Sequence, residues 1–389
     1  MYNFEKIIDR SGTWTVKQEL LPDYFGRRDL LPLWVADMDF ETPPFIMDAL
    51  RKRLEHPVLG YTVAPESYWQ AVIDWQLSRH GWSVRKEWLS FIPGIVKGIG
   101  MVINVFTNPG DKIIIQPPVY HPFRLVPEGN GREVVMNPLV EQPDGTYRMD
   151  FNQLDRVANE HCKVLILSNP HNPAGILWDR STLERLAHFC HERGILVISD
   201  EIHADMALWG LHHIPFATVS AEAAACSITF GAPSKTFNIA GVVSSFAVVP
   251  DEHLRQRFFS WLEANEMNAP TLFAPIATMA AFSADGEAWR RELITYLEGN
   301  VMFVEQFCRE RLPQIRPFRP QASFLVWLDC RRLGLDHEAL NDLFVNQARL
   351  ALNDGEMFGI EGRGFMRLNV GCPRAVLQQA LTWLEEALN

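Results

Sequence analysis

The sequence predicts an α/β fold with a parallel sheet, followed by a smaller α+β domain. Three observations carry this. Residues 163–200 read as strand, loop, helix and strand: KVLILS, then SNPHNPAG, then a run with Leu183, Leu186, Ala187 and Cys190 at helical spacing, then ILVISD. Such a βαβ unit implies parallel strands joined by a right-handed crossover. Short apolar runs such as DKIIIQ, 111–116, lie between Gly110 and Pro117 and fit strands buried on both faces. After about residue 285 the texture changes: long amphipathic helices near 287–312 and 373–388 flank the short strands SFLVWLD and GFMRLNV.

Length and composition bound the function. A chain of 389 residues exceeds one ordinary core, so two domains are expected. With 47% hydrophobic and 21% charged residues it is globular. A net charge of −11 without a dense basic run argues against a nucleic-acid partner. The opening MYNFEKIIDR lacks the apolar core of a secretory signal, and no apolar run approaches the roughly 18 residues of a membrane span. The six cysteines are scattered without a CxxC, which fits a reduced, cytoplasmic protein.

In chain order, residues 1 to about 30 have few periodic apolar positions and read as an arm. LPLWVADMDF, 31–40, is an extended segment running into Pro43-Pro44. It holds two acids, Asp37 and Asp39, and the segment alone fits both a structural strand entering a loop and a backbone near Ala36 that meets an anionic ligand. Residues 45–54 and 67–79 have helical spacing, and the turn between them exposes Tyr61. FIPGIVKGIGMVINVF, 91–106, is a Pro-Gly turn entering a helix. The free amides of Gly94, Ile95 and Val96 could cradle a phosphate, although the spacing is not that of a dinucleotide fingerprint. Tyr120 lies just past the end of the DKIIIQ strand, where α/β sheets hold ligands. Stacking on a flat ring and simple packing both fit it there. Ser181-x-x-Glu184 reads as a capping box opening the helix of the βαβ unit, which Gly194 ends. CSITF and GVVSSFAVV supply two more strands, on either side of GAPSKTFNIA. In that last stretch small residues precede Lys235, so its amine can be a solvated loop cation or a desolvated nucleophile toward aldehydes. The adjacent His212 and His213 look like a metal pair, but neighbouring side chains diverge and no third ligand stands at zinc spacing.

Asn172, Asp200 and Lys235 therefore share one sheet edge with Tyr120 and the 94–96 turn. An amide, a carboxylate, a lysine, an aromatic ring and a phosphate-binding turn together describe a site for pyridoxal 5'-phosphate. Here the sequence resembles the aspartate-aminotransferase-like, fold type I family, and within it the MalY/PatB branch of carbon–sulfur β-lyases, the cystathionine β-lyase-like proteins. The resemblance runs through DLLPLWVADMDF, GYT, PPVY, SNPHNPAG, SDEIHAD, the lysine segment and GRGFMRLNVGCPR, and so covers nearly the whole chain.

The resemblance implies a large α/β domain with a mostly parallel seven-stranded sheet and a smaller α+β domain. Residues 1–45 would form an arm and part of the small domain, 46–284 the large domain and 285–389 the small one. Lys235 would hold the cofactor as a Schiff base and remove the substrate Cα proton. Asp200 would pair with the pyridinium nitrogen, Asn172 with the ring oxygen, and Tyr120 would stack and assist proton transfer. Gly94, Ile95, Val96 and Ser234 would hold the phosphate. Tyr61 would reach the other subunit's site, making a homodimer with shared active sites. Arg367 would clamp the carboxylate of a small amino-acid substrate, aided by Ala36. His203 stands where the aminotransferases usually carry a tyrosine and reads as a supporting hydrogen-bonder. Val243 stands where they carry a phosphate-binding arginine, and Ala232 replaces a common serine. The implied reaction is α,β-elimination from cystathionine- or cystine-like amino acids. The alternatives are an aminotransferase on the same scaffold and a cofactor-binding regulatory protein acting through protein contacts.

Overall fold

The computed structural model describes residues 2–389. Seven strands form the large sheet: β1 (Leu89–Ile92), β2 (Lys112–Ile115), β3 (Glu133–Met136), β4 (Cys162–Ser168), β5 (Leu196–Asp200), β6 (Ser227–Gly231) and β7 (Ser245–Val248). Their order is β1-β7-β6-β5-β4-β2-β3. β2 pairs parallel with β3 and β4, β4 with β5, and β5 with β6, whereas β7 runs antiparallel to β6 and β1. The sheet is mostly parallel, as expected. Its central strands read as unbroken apolar runs because both faces are covered: Val164, Leu165, Ile166, Val197 and Ile198 are all buried.

Helix α1 (Ile95–Phe106) lies close on this sheet. A Cβ at Gly98 would come within 2.8 Å of Ile92 Cδ1 and 3.0 Å of Phe230 Cζ. A side chain there would crowd both, so glycine suits the close packing of α1 on the sheet. Helix α2 (Arg180–Glu192) is the crossover between β4 and β5. Its cap differs from the expected box. Asp179, not Ser181, is the N-cap: one carboxylate oxygen accepts from Thr182 N at 2.8 Å, and the two together accept from the Ser181 and Thr182 hydroxyls. A carboxylate can take all three donors at once, so the helix begins earlier than the Ser-x-x-Glu pattern suggests.

The strand predicted from residue 241 also begins late. Residues 240–242 make a short 3-10 turn, and Val243 adopts φ 56° before β7 starts at Ser245. That left-handed conformation is costly for a β-branched residue.

A second, antiparallel sheet consists of β8 (Arg316–Phe318), β9 (Leu325–Asp329), β10 (Asn353–Asp354) and β11 (Phe365–Asn369), in the order β8-β9-β11-β10. The long helix α3 (Ala284–Arg311) packs on β8 and on α4 (Arg374–Leu388). The N-terminal stretch carries two short helices, Val16–Glu19 and Leu21–Phe25, and then pairs Leu31 and Pro32 parallel with Leu350 and Ala351. This lays residues 34–40 between the two sheets' functional edges.

Candidate active site

Five strands of the large sheet feed the site at their carboxyl ends. β1 leads to Gly94, β2 to Tyr120, β4 to Ser168 and Asn172, β5 to Asp200, and β6 to Ser234 and Lys235. Ligands bind there in open α/β sheets. These residues enclose a cavity of about 310 Å³ that also takes Ala36, Ile95, Val96 and His203 into its wall. Ten of the twelve residues singled out from sequence therefore meet in one place.

Arg367 joins them from the other sheet. β11 sets it opposite Asn353 of β10, and Arg367 Nη2 donates to Asn353 Oδ1 at 2.6 Å and to the Trp34 carbonyl at 3.0 Å. Its Nη1 donates to Asn172 Oδ1 at 3.0 Å, which ties the second sheet to the first. Tyr61 does not come to the cavity of its own chain. It stands fully exposed between the helices Pro44–Leu54 and Glu66–His80.

The electrostatics follow from burial. Lys235 is desolvated, and with Arg367 nearby its amine falls to about 8, although Asp37 and Asp200 pull the other way. Its Nζ donates to the Ala36 carbonyl at 2.6 Å. Burial pushes the Asp200 carboxyl up to about 7, against a hydrogen bond from Ile202 N and the charge of Lys235. Burial and the cations Lys235 and Arg367 bring His203 down to about 3, so it is a neutral imidazole. Burial also raises the Tyr120 hydroxyl, with Arg367 opposing. Arg367 itself drops to about 10 through desolvation. Among the described residues no carboxylate is hydrogen-bonded to it, and its Nε has no partner.

Sequence reasoning missed four polar residues of the wall: Ser168, Lys97, Ser244 and Ser245. Ser168 carried the same strand-end signal as Asp200. The two serines follow the strained Val243 and line the same cavity as Gly94, Ile95 and Val96. His121 was also missed. Desolvation and Arg367 lower it to about 4, and its Nδ1 is buried without a partner. His213 bonds Glu201 at 2.8 Å.

Residues 28–384 match the family model for class I and II aminotransferases. The chain belongs to that family. Over 388 residues and the full length of both proteins it is 43% identical to cystathionine beta-lyase PatB of Bacillus subtilis. The PLP-bound structure of a Clostridium difficile 630 protein superposes with a TM-score of 0.97 at 39% identity, covering all of both chains. The PLP-bound C-S lyase of Staphylococcus hominis does so with a TM-score of 0.92 at 33% identity, over 100% of this chain and 98% of that one.

The residues of this family member fit the cofactor those structures contain. The first amides of α1 have no side-chain cap and no intrahelical acceptor, as a bound phosphate requires. Asp200 needs an N–H or cationic partner in the cavity to stay ionised at neutral pH, and a pyridinium is one. The unpartnered His203 Nδ1 and Arg367 Nε leave buried donors and acceptors for a polar ligand.

Proposed function

We propose that this protein is a pyridoxal-phosphate-dependent carbon–sulfur β-lyase that splits cystathionine- or cystine-like L-amino acids into a thiol, pyruvate and ammonia. The observation that carries the reading is three groups brought together at one site: two line its cavity, and the third is hydrogen-bonded to Asn172 of the cavity wall. They are a buried amine at about 8, a buried carboxyl at about 7, and a buried guanidinium bonded to no carboxylate.

Arg367 binds the substrate α-carboxylate, exchanging its Trp34 carbonyl contact for a charge-assisted pair. This fixes the Cα–H bond toward Lys235. Pyridoxal phosphate, when bound, supplies an electron sink for the charge left at Cα. Lys235 attaches the cofactor, and an amine poised at about 8 takes up the Cα proton near neutral pH. Asp200 keeps the ring nitrogen protonated, and Asn172 and Tyr120 orient the ring. The 94–96 amides and Ser234 hold the phosphate, joined by Ser244, Ser245 and Lys97. The Cβ–S bond then breaks, the thiolate leaves and is protonated, and the released enamine hydrolyses to pyruvate and ammonia.

Tyr61 belongs to this proposal as a contact to the phosphate in a second copy's site, which makes the working unit a homodimer. Its full exposure beside Val58, Leu59 and Val63, all exposed, supports a buried role in an assembly. The division into 1–45, 46–284 and 285–389 is our reading as well. It is supported by Lys235 and Asp200 coming from the large sheet while Arg367 comes from the small one. No helix among the described residues is long and apolar enough to cross a membrane. A cytoplasmic location is supported by six cysteines that are free and buried.

The test is pyruvate release from cystathionine, cystine and a cysteine S-conjugate by the reconstituted enzyme. Stoichiometric pyruvate and thiol support elimination. A keto acid that retains the substrate's side chain, with no pyruvate, establishes transamination instead.

A further inference from the structure

Residues 34–40 carry both cations of the site on their carbonyls. Trp34 O accepts from Arg367, and Ala36 O accepts from Lys235. On one side the segment is held by amides: Asn369 Nδ2 donates to the Val35 and Asp37 carbonyls at 2.7 Å each, and Asn238 bonds Met38 and Phe40. On the other side it is held by charge. Arg10 Nη1 reaches Asp37 Oδ1 at 2.9 Å and Asp39 Oδ1 at 2.7 Å, and its Nη2 reaches Asp37 Oδ2 at 2.8 Å. Lys17 Nζ reaches Asp39 Oδ2 at 2.8 Å and Asp37 Oδ1 at 3.5 Å.

Lys17 is wholly buried at 0% exposure, in the short helix Val16–Glu19. Burying an ammonium costs more than burying an apolar side chain of similar size, so mere fastening does not call for it. Its position explains it. Asp37 acts on the Lys235 amine, which must be neutral to react, and two cations balance Asp37 together with its neighbour Asp39.

We propose that Arg10 and Lys17 are positioning residues for Lys235. With Asp37 and Asp39 they form a neutral quartet that seats the Ala36 carbonyl against the Lys235 amine and screens the amine from the Asp37 carboxylate. This rests on the reading of Lys235 as the amine that attaches the cofactor. The groups facing Lys235 are Asp200 from β5, His203 just after it, Arg367 from β11 and Asp37. Facing the quartet just past the end of β11 is Cys372. The sign follows from charge. Without Lys17 one carboxylate is uncompensated, the ammonium form of Lys235 gains, and less free amine remains at neutral pH. Without the Asp39 charge the opposite holds.

The experiment measures how fast cofactor-free protein forms its imine with added pyridoxal 5'-phosphate, followed by absorbance across pH. The rate reports the neutral amine, and the cofactor's own titrations are common to every variant. Lys17→Met should raise the midpoint by about half a pH unit, roughly a threefold loss of amine at neutral pH. Asp39→Asn should lower it. The Lys17→Met/Asp39→Asn pair should return it toward wild type, and Lys17→Arg should leave it in place. Midpoints that do not move, or that move the same way in both single variants, overturn the proposal. A destabilised fold alone does not produce opposite shifts that cancel. If Lys17→Met does not fold, an unmoved midpoint in Asp39→Asn is sufficient to overturn it. Lys235→Ala separates the two readings: imine formation at the wild-type rate in that variant defeats the assignment of Lys235 itself.

Discussion

Replacing Asp200 by asparagine should stabilise the cofactor-free protein at alkaline pH while slowing the enzyme by roughly 10²-fold or more. The fold raises this carboxyl from an ordinary 3.8 to about 7, chiefly through burial. It therefore prefers the protonated form. The favourable contribution is complete below the unfolded value near 3.8 and is lost as pH rises through about 7. The size comes from that interval. At ~1.4 kcal/mol per tenfold step, the ionised carboxylate costs the folded state about 4 kcal/mol above pH 7. Asparagine keeps the shape and cannot ionise, so the variant escapes the cost. Urea unfolding of both cofactor-free proteins, at one protein concentration and at intervals from acid to alkaline pH, measures the gap. The gap should widen with pH by a few kcal/mol, almost all of it between pH 4 and 7. Saturating cofactor should reverse the order, because only the carboxylate can balance a pyridinium. A gap that stays flat with pH would refute the reasoning about Asp200.

Other outcomes follow from the same geometry. Arg367→Met removes a buried charge-assisted pair with the substrate, at about 3–4 kcal/mol; steady-state kinetics should show kcat/KM falling by 10² to 10³, mostly through KM. Mixing inactive Lys235→Ala protein with a Tyr61→Ala protein should restore activity, because a hybrid dimer holds one site with both residues intact. Activity that stays at the sum of the two parents would contradict shared sites. Gly98→Ala pushes a methyl into Ile92 and Phe230 and should cost about 1–3 kcal/mol in urea unfolding. It should also weaken cofactor affinity by tilting the start of α1, as a spectroscopic titration would show.

Much of the large sheet was legible because a βαβ unit announces itself twice, by period and by punctuation. The apolar runs of β4 and β5 bracket a helix whose buried face is Leu183, Leu186, Ala187 and Cys190. Strand ends then located Asn172, Asp200 and Lys235, since ligand residues gather where parallel strands stop. Arg367 had no such signal. It sits mid-strand in MRLNV, and only the resemblance to a family singled it out. Val243 was illegible for the opposite reason, since its β-branched side chain argues for a strand and the backbone takes a left-handed turn. Asp179 and Ser181 both suit an N-cap, and what decides between them is the number of donors one carboxylate can satisfy. The quartet was hidden by distance: Arg10 and Lys17 find Asp37 and Asp39 from 20 to 29 positions away, with no periodicity to link them.

The most direct test of the central claim is one cuvette. The absorption spectrum of the purified, reconstituted protein is recorded before and after adding L-cystathionine, with pyruvate assayed as it forms. The account predicts a cofactor band that responds to substrate, steady pyruvate release, and loss of both in Lys235→Ala. A reconstituted protein that shows no band, or a band that substrate perturbs without any pyruvate, contradicts it.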